Sequence, residues 1–184
     1  MKIPQSLRKK ALFIIDVQPE FLDKRNNYIV EEINTLLDNT KYDLYVEAVF
    51  YSKKDSLWDK QRQIIVPKGR NTHTVKSIAN KLKSFSSIKV EKHTRSVFKD
   101  DKKEVFALLK KHKIEEIHFV GTQTNDCIFA SALEAFDLGF FSYAIEECCE
   151  TATEELQGYG LALLRRQKMT NNSVVEKVKF LTIT

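Results

Sequence analysis

Glycine and proline are scarce here, five and three among 184 residues, and that excludes a collagen-like polymer or a Pro/Gly-rich disordered chain. Cysteine is scarce too. There are three, and two of them, Cys148 and Cys149, are adjacent, so they form no disulfide framework and a reducing cytoplasm is the expected compartment. Long apolar runs are missing: no segment reaches the about 18 residues needed to span a bilayer, so no membrane partner is expected. The basic first ten residues run into the apolar 11–15, but Asp16 interrupts the run too early for a secretion signal and no small-residue cleavage site follows. No charge of one sign dominates either. Thirty Lys and Arg are scattered among twenty-five Asp and Glu, for a net charge of +5, which describes a solvated mixed-sign surface. A pI near 9.0 is the sole hint of nucleic acid, and no such partner is expected. Without repeats, low-complexity segments or linkers, residues 1–184 are expected to form one domain.

What is present is the composition of a globular protein, 42% hydrophobic and 30% charged, at a length that buries roughly 70% of the unfolded surface in one core. The pattern alternates between strand and helix. Residues 11–17 form a continuous apolar strand broken only by Asp16, and residues 43–51, 88–91, 117–120 and 140–145 supply four more, with an edge strand at 173–175. Between them, 28–39 places Ile29, Ile33, Leu36 and Leu37 on one helical face. Residues 74–85 do the same with Val75, Ile78, Ala79, Leu82 and Phe85, and another helix spans 153–167. Asp101 and Glu104 resemble a capping box opening the helix that carries Val105, Leu108 and Leu109. Residues 53–70 are polar and irregular, with Trp58 as their large aromatic, and suit a loop or short helix walling a pocket or simply covering the core. Strand–helix alternation implies right-handed crossovers and a parallel sheet with helices on both faces.

Three residues stand where such a sheet puts its sites. Asp16, Lys92 and Cys127 each follow the C-terminal end of an expected strand, and parallel strands bring those ends to one edge. Cys127 follows the turn Gly121-Thr122-Gln123-Thr124-Asn125-Asp126 and precedes Ile128, Ala132, Leu133, Ala135 and Phe136 at helical spacing, with Gly139 as a left-handed cap. A helix N-terminus can lower a thiol's pKa from about 8.5 into roughly the 3.5–7.5 range. Taken singly, each has a plainer reading: Asp16 as a turn acceptor, Lys92 as a surface lysine, Cys127 as a small core residue.

The segments Ala11-Leu12-Phe13-Ile14-Ile15-Asp16-Val17-Gln18-Pro19-Glu20-Phe21, Lys92-His93-Thr94-Arg95-Ser96-Val97-Phe98 and Gly121-Thr122-Gln123-Thr124-Asn125-Asp126-Cys127-Ile128, in this order, make the chain similar to the isochorismatase-like cysteine hydrolases. These include nicotinamidases, N-carbamoylsarcosine amidases and isochorismatases. The resemblance implies a three-layer αβα sandwich around a six-stranded parallel sheet, and a catalytic triad of Asp16, Lys92 and Cys127. It also implies a cis peptide before Gln123, with the backbone N–H groups of Gln123 and Cys127 forming an oxyanion hole, and assembly as a homo-oligomer. Those residue types suit thioester chemistry on their own account: Asp16 can take the thiol proton, and Lys92 holds Asp16 ionised.

Nicotinamidase-like members bind a divalent metal through Asp and His residues. Here the segment 51–70 contains Asp55 and Asp59 but no histidine, and His73 stands alone, so no metal and no cofactor are expected. The expected activity is hydrolysis of a small amide or carbamoyl compound, with Phe21, Trp58 and Gln123 as pocket residues. Two alternatives are vinyl ether hydrolysis of the isochorismatase type and an idle family member that serves as a binding or assembly module. Cys148 and Cys149 are expected to be packing residues.

Overall fold

The computed structural model describes residues 7–69, 73–100 and 102–170. Alternation along the first strand, β1 (Lys10–Ile15), sets the layering. Ala11, Phe13 and Ile15 enter one core and Leu12 and Ile14 the other, all of them fully buried. A strand apolar on both faces must lie at the centre of a covered sheet. That is its position here: four further strands, β2 (Leu44–Phe50), β3 (Ser87–Lys92), β4 (Glu116–Thr122) and β5 (Phe141–Glu150), extend the sheet in the order β3-β2-β1-β4-β5, all parallel.

Helices α1 (Ile29–Asn39) and α3 (Lys76–Leu82) cover one face through Ile29, Ile33, Leu36, Leu37, Ile78 and Leu82. The other face carries α5 (Lys102–Lys111), α6 (Phe129–Asp137) and α7 (Glu154–Arg166), which contribute Val105, Leu109, Ala132, Ala135 and Leu164. Two short helices, α2 (Leu57–Lys60) and α4 (Val97–Asp100), sit in the connections. The core on this second face centres on Phe13, whose ring lies 5.6 Å from Phe98 and 5.4 Å from Phe119 in tilted and edge-on geometry. At the opposite end of the sheet from the site, Glu116 is fully buried. It accepts from Arg8 at 3.1 Å, pairs with Lys10 at 3.1 Å and meets His118 at 2.7 Å, so that the charge is matched where water is excluded.

The architecture is the expected αβα sandwich, with five strands among the described residues rather than six. The edge strand expected at 173–175 lies outside them, as does Asp101 of the expected capping box. One parallel bridge, Ala144 to Thr170, forms beside β5 just before that segment. β5 is longer than its apolar run, because Cys148 and Cys149 continue it, one buried in each core, behind a register shift opposite Phe119 and Gly121. Phe136 does not join the core face of α6. It is exposed, while Ile128, Ala132 and Ala135 complete the buried stripe.

Candidate active site

Chain order reverses direction at β1: β2 and β3 build outward on one side, β4 and β5 on the other. Such a reversal opens a crevice at the carboxyl ends of the strands, since the connections on either side leave in opposite directions. Asp16 stands just past the end of β1, and Gly121 and Thr122 close β4 beside it. The two strands approach so closely that a side chain on Gly121, which has φ +119°, would collide with the Ile15 carbonyl and sit 2.9 Å from Val17. Asp16 itself has a left-handed φ of 51°. Its amide donates to the Ala48 carbonyl at 2.9 Å, and its carbonyl accepts from the Gln18 amide and the Thr122 hydroxyl, each at 2.8 Å. Gln18 then ties this turn to the end of β2, donating to the Phe50 carbonyl at 2.9 Å and accepting from the Phe50 amide at 2.6 Å.

Lys92, the last residue of β3, reaches across the end of β2 over the Phe50 ring, 5.1 Å from its centroid. Its ammonium makes a 2.6 Å ion pair with Asp16, donates to Cys127 Sγ at 3.3 Å and to the Thr94 carbonyl at 3.1 Å. Lys92 is fully buried and Asp16 is 2% exposed. Burial is the largest influence on both. It pushes the Asp16 carboxyl up against the pull of Lys92, while the charges of Asp16 and Cys127 more than offset it at Lys92, whose pKa rises.

Cys127 lies in a π-helical turn, Thr124–Ile128, that leads into α6, rather than at the first residue of an α-helix. Burial raises its thiol pKa and outweighs the opposing charge of Lys92. The expected lowering by a helix N-terminus is therefore not what dominates: burial favours the neutral thiol over the thiolate. The peptide between Thr122 and Gln123 is cis.

Above these residues opens a cavity of about 260 Å³. Phe21, Phe50, Trp58 and Ile64 supply its apolar wall, with Phe50 4.9 Å from Trp58 and 6.0 Å from Phe21. Asp16, Thr122, Gln123, Asp126 and Cys127 line it from the sheet edge, and Glu20 and Arg62 from the connections. The structure thus brings all six singled-out positions, Asp16, Phe21, Trp58, Lys92, Gln123 and Cys127, to one site. Sequence reasoning passed over Gln18, Phe50, Arg62, Arg95 and Asp126. Of these, Asp126, next to the cysteine, and Gln18, two residues after Asp16, carried a signal in their positions; the rest depend on loop paths.

Among the described residues, the metal expected of nicotinamidase-like relatives finds no fitting donor set. Asp59 accepts from the Asp55 amide at 3.1 Å, His93 Nδ1 lies 3.0 Å from the Tyr51 carbonyl with its ring against Tyr51, and His73 is exposed. Among the described residues, no three His, Cys, Asp or Glu side chains converge as ligands. No helix among them is long and apolar enough to cross a membrane.

The fold is a parallel, doubly wound α/β sheet that holds a carboxylate, an ammonium and a thiol together at its reversal point. Residues 10–175 match the model of the isochorismatase domain, and the chain belongs to that family of hydrolases, whose members include amidases acting on non-peptide C–N bonds. Solved structures agree in fold. An isochorismatase-like hydrolase from Alkaliphilus metalliredigens is 19% identical with a TM-score of 0.75, the match covering 89% of this chain and 93% of that one. A nicotinamidase/pyrazinamidase from Bacillus subtilis is 20% identical with a TM-score of 0.69, over 85% and 94% of the two chains. An N-carbamoylsarcosine amidase from Thermoplasma acidophilum is 16% identical with a TM-score of 0.70, over 82% and 90%. Comparison with curated protein sequences returned no match.

Proposed function

We propose that this protein hydrolyses a small amide or carbamoyl compound through a thioester on Cys127. The observation that carries the reading is the buried contact of Lys92 with both Asp16, at 2.6 Å, and Cys127 Sγ, at 3.3 Å, at the floor of an aromatic cavity. Burial favours the neutral thiol, and Asp16 takes its proton as Sγ attacks the carbonyl carbon. Lys92 remains charged and compensates the negative charge passing between sulfur and carboxylate. The backbone N–H groups of Gln123 and Cys127 receive the oxyanion, a role in which losing a single donor costs about 3–4 kcal/mol in other enzymes. Asp16 returns its proton to the leaving nitrogen, and ammonia or an amine departs. A water molecule, deprotonated by Asp16, then cleaves the thioester and frees a carboxylic or carbamic acid.

A cavity of about 260 Å³ walled by Phe21, Phe50, Trp58 and Ile64 suits a compact, flat substrate whose amide points at Cys127. Vinyl ether hydrolysis would need an acid but no nucleophilic sulfur, so the Lys92–Cys127 contact favours the amide reading over it. The test is to offer a panel of primary amides and carbamoyl compounds to the wild-type protein and to Cys127→Ala. Release of ammonia or amine by the wild type alone, together with an acyl adduct on Cys127 detected by mass spectrometry, is expected. Undiminished turnover by Cys127→Ala would sink the thioester mechanism.

A further inference from the structure

Immediately before the nucleophile the chain places another acid, Asp126, in the cavity wall with its side chain only 16% exposed. A carboxylate at this place disfavours the Cys127 thiolate and also disfavours the ionised Asp16 that must be present to accept the proton. Burial is the main influence raising the Cys127 thiol and the Asp16 carboxyl, and the charge of Asp126 adds to it at both. Two arginines from separate connections meet this acid, one on each oxygen. Arg95, from the β3–α4 connection, bonds Oδ1 through Nε, and Arg62, from the segment after α2, lies 3.6 Å from Oδ2. Both guanidiniums also rest against Trp58, 4.7 Å and 5.5 Å from its ring centroid. The turn bearing Arg95 is itself fastened, because Asp100 Oδ2 accepts from the His93 amide at 2.7 Å and from the Thr94 amide at 3.0 Å. The charged groups acting on Cys127 are thus Lys92, Asp16 and Asp126, and those paired with Asp126 are Arg62 and Arg95.

We propose that Arg95, assisted by Arg62, is a positioning residue that cancels the charge of Asp126 beside the nucleophile and so lets Asp16 draw the proton from Cys127 at neutral pH. The proposal rests on the reading of Cys127 as the nucleophile. Arg95 is the residue to test, because Arg62 lines the cavity and its loss would also alter substrate binding.

The experiment is the pH profile of iodoacetamide alkylation at Cys127, resolved by peptide mass from Cys148 and Cys149, in the intact wild-type protein, Arg95→Gln, Arg95→Lys, Asp126→Asn and the double variant Arg95→Gln/Asp126→Asn. Exposing one like charge beside the thiol should move the Arg95→Gln profile about one pH unit upward, about tenfold slower labelling at pH 7. Arg95→Lys should stay within about threefold of wild type. The double variant, with neither charge, should return to the same range, a recovery that loss of a merely structural contact would not produce. An Arg95→Gln profile coincident with wild type, or a double variant as slow as Arg95→Gln, overturns the proposal. The outcome is separable from that of the underlying reading, because alkylation reports the thiol without substrate, whereas turnover by Cys127→Ala tests the nucleophile directly.

Discussion

Replacing Lys92 by Met keeps the length of the stem but deletes the charge between Asp16 and Cys127. At the observed 2.6 Å, an ion pair in an effective dielectric of 20 is worth about 6 kcal/mol of gross attraction. Most of that offsets the desolvation of the two ions, so the intact pair contributes little net stability, but removing one partner strands the other and costs about 3–5 kcal/mol. Asp16, 2% exposed and already pushed upward by burial, would escape that cost by binding a proton. A protonated Asp16 cannot act as the base, so Lys92→Met should lower kcat/KM at pH 7 by at least about 10³-fold. Urea unfolding at pH 7 should show a loss of a few kcal/mol, smaller at pH 5, where the proton comes more cheaply. The double variant Asp16→Asn/Lys92→Met, a neutral amide beside an apolar chain, should regain part of that stability while remaining inactive. Activity of Lys92→Met within tenfold of wild type, or a double variant no more stable than Lys92→Met, would refute the coupling of these two charges.

Trp58→Ala opens the aromatic wall and should raise KM about 10- to 100-fold, the equivalent of about 1.5–3 kcal/mol of lost contact, with a small change in kcat by steady-state assay. Gly121→Ala forces a side chain onto the Ile15 carbonyl at a φ of +119° and should cost roughly 2–5 kcal/mol in urea unfolding, an unchanged midpoint contradicting the close approach of β1 and β4. Burial opposes the charge on Glu116, but His118, Lys10 and Arg8 outweigh it and hold the carboxyl at about 2. Its contribution is therefore present above its ordinary value of 4.5 and lost as pH falls toward 2, so Glu116→Gln should be less stable at pH 7 and show a shallower fall in that window. For the reaction itself, the raised Asp16 carboxyl places the acid limb of the kcat/KM profile above the ordinary carboxylate value of 3.8, and a limb at or below it would remove Asp16 as the base.

Local pattern determined a good deal of this protein by itself. Period-3.6 apolar residues in α1 and α3 and the unbroken apolar β1 are written in neighbouring side chains. Once strands alternate with helices, parallel pairing brings Asp16, Lys92 and Cys127 to one edge without any knowledge of contacts. Where the chain's reading fell short, burial or a long-range partner was decisive. Phe136 kept the helical spacing yet faces solvent, because Ala132 and Ala135 already fill the space against β5. β5 runs on through Cys148 and Cys149 because both faces of the sheet are covered there, a fact about its neighbours.

The state of the nucleophile shows the division most clearly. A cysteine opening a helix suggests a lowered pKa, but the tertiary structure places Cys127 in a buried π turn, where desolvation outweighs the charge of Lys92 and pushes the thiol upward. Arg62 and Arg95 lie 64 and 31 residues from Asp126 in a chain with thirty basic residues, so no spacing singles them out. Residue type and strand register are local properties and survive in a one-dimensional string. Desolvation and charge pairing depend on what every other segment does, and only the folded chain decided them.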